Sequence, residues 1–209
     1  MSNCEFKICG ERLHLLAEKA IFWKKENTII ISDLHLGKAG HFRKHGIPVS
    51  GKIHFTDLKI LESLLHQHKP AQVILLGDLF HSAKNNEWND FLRFLEIFDI
   101  VKFILVKGNH DIMEEYPAEL NMVESLDLPP FNFTHQRESS ELYNLSGHIH
   151  PGFRVRGIAR EGLTLPCFYF SSNHGVLPAF GQFTGIKKIK PLEGDKIFGI
   201  ADDNVMELI

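Results

Sequence analysis

Cysteine is scarce in this chain, with Cys4, Cys9 and Cys167 the only three in 209 residues. They form no CxxC pair, and an odd number cannot all pair within the chain, a usage that fits a reducing compartment. Long apolar runs are missing too. None approaches the ~20 residues a membrane helix needs, and the N-terminus has no apolar signal-peptide core. A cytoplasmic location is the expectation. Charge of one sign is also lacking: the formal net charge is -3, which argues against a broadly basic nucleic-acid coat while leaving room for a local basic patch. Linkers, low-complexity tracts and internal repeats are absent. With 44% hydrophobic and 23% charged residues, the chain has an ordinary globular composition and suits one domain, residues 1–209, with a well-buried core.

What the chain has in plenty is histidine, thirteen in all. Position separates the informative ones. Thr28–Ser32 is a short apolar run that predicts a buried strand, and it is followed by Asp33-Leu34-His35. Residues i and i+2 of a strand share a side, so Asp33 and His35 are expected to leave the sheet edge aimed in one direction.

The chain then repeats the device. Helical spacing of Leu58, Leu61, Leu64 and Leu65 predicts a helix over 56–68, and Val73–Leu76 predicts a strand ending at Gly77-Asp78. A second amphipathic helix carries Trp88, Phe91, Leu92, Leu95 and Phe98, with Asn86 as N-cap. Phe103–Val106 is a third strand, ending at Gly108-Asn109-His110-Asp111. Strand and helix alternating at these intervals predict βαβ units in a parallel sheet, with the strand ends along one edge. After Asp111 the texture changes to short strands, at 131–135, 141–146, 167–171 and 196–201, in the manner of a meander. A second sheet packed on the first is expected. Before Thr28, residues 13–16 and 20–23 read as a strand pair around Ala17-Glu18-Lys19.

The strand tips collect oxygen and nitrogen donors: Asp33 and His35; Asp78 and His81; Asn109, His110 and Asp111; His135; His148 and His150. Each taken singly is explained by an ordinary turn cap. Together they exceed what one ion uses, so two adjacent ions of a kind suited to mixed O and N ligands are implied: manganese, iron or zinc.

Set in order, Asp33-Leu34-His35, Gly77-Asp78-Leu79-Phe80-His81, Gly108-Asn109-His110-Asp111, His135 and Gly147-His148-Ile149-His150 resemble the calcineurin-like metallophosphoesterase superfamily. The resemblance implies an α/β fold of four layers, α-β-β-α, with two mixed sheets face to face. It implies one ion on Asp33, His35, Asp78 and His150, and another on Asp78, Asn109, His135 and His148, with Asp78 bridging. It further implies His110 as the acid for the leaving oxygen, Asp111 as the group that orients it, and His81 in a supporting role. One residue departs from the usual pattern, since Thr134 stands where a glycine commonly precedes the isolated histidine. His174 is the nearest substitute for His135.

The flanks narrow the resemblance. Residues 31–43 with Gly46-Ile47-Pro48, and Leu177-Pro178-Ala179-Phe180-Gly181 before Thr184-Gly185, look like the bacterial DNA ligase-associated metallophosphoesterases. That group implies a manganese-dependent phosphodiesterase linked to an ATP-dependent DNA ligase, a helicase and a nuclease in DNA repair, while the wider fold, in which nucleases are commonly dimers, favours a dimer if the chain oligomerises. The basic loop after the first tip offers Lys38, His41 and Arg43, with Lys44 and His45, to substrate phosphates. A phosphomonoesterase or nucleotide pyrophosphatase of the same superfamily is the alternative activity, and an inactive scaffold on the same fold the remoter one.

Overall fold

The computed structural model describes residues 3–37, 53–80, 86–112, 116–156, 162–182 and 184–209, with side chains from 56 onward in the first helix and from 88 onward in the second. His81 and the loop holding Lys38, His41, Arg43, Lys44 and His45 lie outside the described residues.

The first sheet begins with three antiparallel strands, β1 (Cys4–Ile8), β2 (Glu11–Leu16) and β3 (Ala20–Trp23). It continues through β4 (Thr28–Ile31), β5 (Gln72–Leu76), β6 (Lys102–Val106) and β7 (Leu120–Val123), with β4 to β7 mutually parallel. Helix α1 (Ile53–His68) links β4 to β5, and α2 (Asn86–Ile97) links β5 to β6. The expected βαβ order is therefore present. It could be read from the sequence because β4, β5 and β6 are buried on both faces, which makes each a nearly continuous apolar run. Ile29, Ile31, Val73, Leu75, Phe103 and Leu105 face the helices, where Leu61, Leu64, Phe91 and Leu95 pack onto them. Ile30, Ile74, Leu76 and Val106 face the other way, into a second core.

That second core lies between the sheets. Its far wall belongs to a sheet running β14 (Lys187–Lys188), β11 (Pro151–Arg156), β12 (Gly162–Phe170), β13 (His174–Val176), β10 (Tyr143–Ser146), β9 (Phe131–Phe133) and β8 (Leu126–Leu128). Strand β12 also pairs with β15 (Lys196–Ala201), which pairs with β16 (Asn204–Glu207). Phe131, Phe133, Phe168, Phe170 and Phe198 pack against Trp23, Ile30 and Leu76 across the gap. The meander expectation is only partly met, because β9, β10 and β13 are parallel neighbours. Their pairing brings distant segments together, which local pattern does not report. Two mixed sheets face to face are as expected. Both helices described lie on the outer side of the first sheet, and among the described residues no helix covers the second.

One buried charge stands apart from the apolar layers. Asp57, on α1, is 6% exposed and accepts a hydrogen bond from the Gln182 amide at 3.3 Å. Burial pushes its carboxyl up to about 7 from the ordinary 3.8, against the pull of the Gln182 amide and the Lys19 charge. The folded chain thus holds a proton there that the unfolded chain releases. The resulting stability is fully present below about pH 4 and lost as pH rises through about 7. The Asp57→Asn variant keeps an acceptor for Gln182 without the charge. At pH 8 it should be more stable than the parent by up to roughly 4 kcal/mol, and near-equal at pH 4, in denaturant titrations at the two pH values.

Candidate metal centre

The tips of β4, β5 and β6 meet those of β9 and β10 where the two sheets join. Strand β4 ends at Ile31, so Asp33 and His35 sit in the loop beyond it rather than on the strand. Their common direction comes from a different source than strand alternation. Both have left-handed backbone, φ 52° and 49°, as do Asp78 at 50°, His148 at 68° and His150 at 49°. For residues other than glycine this conformation costs about 1–2 kcal/mol each, and five such residues at one spot mark a site whose geometry the surrounding bonds enforce.

Those bonds lace the loops together. Asp33 N donates to Gly77 O at 3.2 Å, His35 N to Asp78 O at 2.9 Å and Leu36 N to Leu79 O at 2.8 Å. The carboxylate of Asp111 takes the amides of Gly108 at 2.8 Å, Leu79 at 2.9 Å and Phe80 at 3.5 Å. These three hydrogen bonds all come from backbone amides. Asp111 fastens the β5 loop to the β6 loop.

Two donor groups result. Asp33, His35 and His150 form one, and Asp78, His135 and His148 the other, with ligand atoms of each group within 4.8 Å of one another. In the first group His150 Nε2 lies 3.3 Å from Asp33 Oδ1 and 3.4 Å from His35 Nε2. In the second, His135 Nε2 lies 3.1 Å from His148 Nδ1. Asp78 faces both, with Oδ2 at 3.9 Å from His35 Nε2 and Oδ1 at 3.4 Å from His135 Nε2.

The outer nitrogens are tied back, so that one ring nitrogen of each is directed inward. His135 Nδ1 meets Leu76 O at 2.9 Å, and His150 Nδ1 meets Gly185 O at 3.1 Å. Carbonyl partners of this kind set the tautomer of metal-binding histidines. His174 is engaged elsewhere, by Ser171 Oγ at 2.5 Å and Asn173 Oδ1 at 3.0 Å. His135 is thus the histidine the structure brings into the cluster. Thr134 replaces the usual glycine without disturbing it, since its hydroxyl donates to Gln136 O at 2.5 Å and accepts from Asn144 at 2.8 Å.

These groups suit divalent cations. Imidazole nitrogens aimed at one another at 3.1–3.4 Å converge as ligands around a shared cation do. Asp33 Oδ1 is buried, and among the described residues its close polar neighbour is His150 Nε2 at 3.3 Å. Burial opposes ionisation of Asp33, but His150, His135 and the His148 amide outweigh it and hold the carboxyl below its ordinary range. Burial and the neighbouring His135 push His148 down, toward the neutral imidazole that a metal requires. Asn109 sits beside the second group with its Oδ1 accepting from Gln136 at 2.8 Å. Gln136 was not anticipated, and its only sequence signal is its place after His135. His110 donates its backbone N–H to Asp78 Oδ1 at 2.9 Å, and its ring lies edge-on 5.8 Å from that of His35.

The 177–185 segment also has a structural reason to accompany this site. Ser32 Oγ donates to Pro178 O at 3.1 Å, Phe180 N to Ser32 O at 2.8 Å and Gly181 N to Asp33 O at 3.2 Å. The segment holds the first ligand loop from the second sheet's side.

Comparison with known proteins agrees with this geometry. Residues 27–200 match the calcineurin-like phosphoesterase family. The chain belongs to that family, whose members hydrolyse phosphoric esters with divalent metals, and it is a hydrolase of that class. Its fold is similar to the crystal structure of Pseudomonas putida nuclease MPE, at 28% identity and a TM-score of 0.84, covering 99% of this chain and 100% of that one. A more distant likeness is Yfce, a phosphoesterase from E. coli, at 12% identity and a TM-score of 0.43, covering 86% of this chain and 96% of that one. Among curated proteins none matches the sequence.

Close approach makes two glycines irreplaceable here. A Cβ on Gly77, where φ is 75°, would strike the His135 ring, and one on Gly108 would strike Asp78 N and Oδ1. The Gly77→Ala variant combines overpacking with a left-handed alanine, and should lose about 2–5 kcal/mol of stability. Chemical denaturation of parent and variant measures it.

Proposed function

We propose that this chain is a two-metal phosphodiesterase. One ion is held by Asp33, His35, Asp78 and His150, and the other by Asp78, Asn109, His135 and His148. The observation carrying this reading is the position of Asp78, whose two carboxylate oxygens face separate donor groups. Bound ions would supply Lewis acidity toward a phosphoryl group and lower the pKa of water. The protein's share is placement. Loops pinned by Asp111 and by the 177–185 segment hold the ligand set, and His110 stands at its edge as proton donor to the leaving oxygen. Asp111 orients the His110 imidazole and favours its charged form. His81, Lys38, His41 and Arg43 complete the proposal as contacts to substrate phosphates.

A phosphodiester substrate, nucleic acid or a small diester, is favoured over a monoester by the likeness to a nuclease along the whole of both chains. The mixed carboxylate, amide and imidazole set suits manganese, with iron or zinc compatible. Membership of the DNA ligase-associated group rests on the 31–48 and 177–185 flanks. From it follow cytoplasmic DNA repair and a functional link to a ligase, a helicase and a nuclease. No helix of the described residues is long and apolar enough to cross a membrane.

The ligand assignment has a direct check. The parent should bind two manganese equivalents by calorimetry. Asp78→Asn should weaken both, and a variant that still fills one site normally would remove the bridging role. The activity has its own. With manganese, turnover of bis-p-nitrophenyl phosphate should far exceed that of p-nitrophenyl phosphate, and the opposite ranking would mark a monoesterase. His110→Ala should keep both ions and lose about 10²–10⁴-fold in rate.

A further inference from the structure

Beside the metal centre lies a cavity of about 70 Å3 that shares His150 as a wall and is lined also by Lys19, Gln182, Thr184 and Ile186. A volume near 10–15 Å3 admits one water, so this space holds several waters or one tetrahedral oxyanion. Lys19 is its cationic group. It occupies the last position of the Ala17-Glu18-Lys19 turn between β2 and β3, with φ 62° and its amide donating to Leu16 O at 3.0 Å.

Lys19 is half-buried, and no hydrogen bond or ion pair of its ammonium is made with the described residues. Burial lowers its pKa, opposed only by the charge of Asp57. Asp57 is a poor counterion, because its own carboxyl is raised to about 7 and turned to the Gln182 amide. A half-buried lysine that lines a cavity of oxyanion size, its ammonium without a partner among the described residues, makes a site for an anion. His150 indicates which anion. Its Nε2 faces the donor group around Asp33 while the same residue walls the cavity. On the phosphodiesterase reading, a strand whose scissile phosphate rested on that group would carry its next phosphate past His150.

We propose that Lys19 and this cavity seat the phosphate adjacent to the scissile one, so that the enzyme selects polynucleotides over diesters with a single phosphate. This rests on the phosphodiesterase reading above. The occupant is a backbone phosphate of a nucleic acid strand, and the base is not read here.

The test uses the manganese-loaded protein and a fluorescein-labelled, phosphorothioate-linked single-stranded octamer, with affinity measured across salt concentrations. Lys19→Gln should reduce the slope of log K against log salt by about 0.7 in magnitude, the value for one phosphate contact on a single strand. Lys19→Arg should retain the slope. Thr184→Glu, which brings a carboxylate to the cavity wall and leaves Lys19 in place, should reduce it as well and covers the case in which Lys19→Gln does not fold. With the unmodified octamer, Lys19→Gln should lower kcat/KM about ten-fold more than with bis-p-nitrophenyl phosphate. An unchanged salt slope in both variants, or equal losses on the two substrates, would overturn the proposal. If the parent hydrolyses neither diester, the phosphodiesterase reading fails, and the salt slope still decides the cavity.

Discussion

The arrangement depends on Asp78. Its carboxylate stands between two groups of imidazoles, one oxygen toward His35 and the other toward His135. In the proposed two-metal reading, a single buried negative charge there would relieve the repulsion of two cations held close together. The price is a carboxylate 3% exposed, in left-handed backbone, at a joint of two sheets. Much of the surrounding structure meets that demand. The His110 amide donates to Asp78 Oδ1, Gly108 leaves it room, and the 33–36 loop hydrogen-bonds along the 77–79 loop.

The two cores have separate tasks. The helix-side core fixes β4, β5 and β6 as parallel neighbours, so that three loops leave the same sheet edge. The inter-sheet core, rich in phenylalanine, sets the distance at which β9 and β10 present His135 and His148. Neither core contains a ligand, yet a shift between the sheets would separate Asp78 from His135 and leave the second group open. The apolar gap therefore acts on the spacing of the donor side chains through packing.

Some of this was legible in the residues. Runs such as Thr28–Ile31 and Lys102–Val106 are apolar on both faces, so their strands could be placed within about a residue. The 56–68 helix was legible from its leucines, though it begins earlier, at Ile53. Edge and partner strands were not. Cys4–Ile8, Leu120–Val123 and Pro151–Arg156 carry half-exposed, mixed patterns and become strands because a neighbour supplies the hydrogen bonds. Among the site residues, the donors announced themselves by type and order. The tying of two loops by Asp111 did not, since residue type alone does not show that a carboxylate accepts from three backbone amides.

By itself the sequence determined which side chains meet: Asp, His and Asn placed after apolar strands, with glycines where loops must approach. These are matters of residue type, spacing and backbone freedom, all local. Only the tertiary structure decided how they meet. It sorted six donors into two groups, set Asp78 between them, chose His135 over His174 and set Lys19, some sixty positions away from Asp78 in the chain, against a cavity walled by His150. Those outcomes depend on the register and spacing of two sheets. Distance in space between residues far apart in sequence is settled by packing, and no local pattern encodes it.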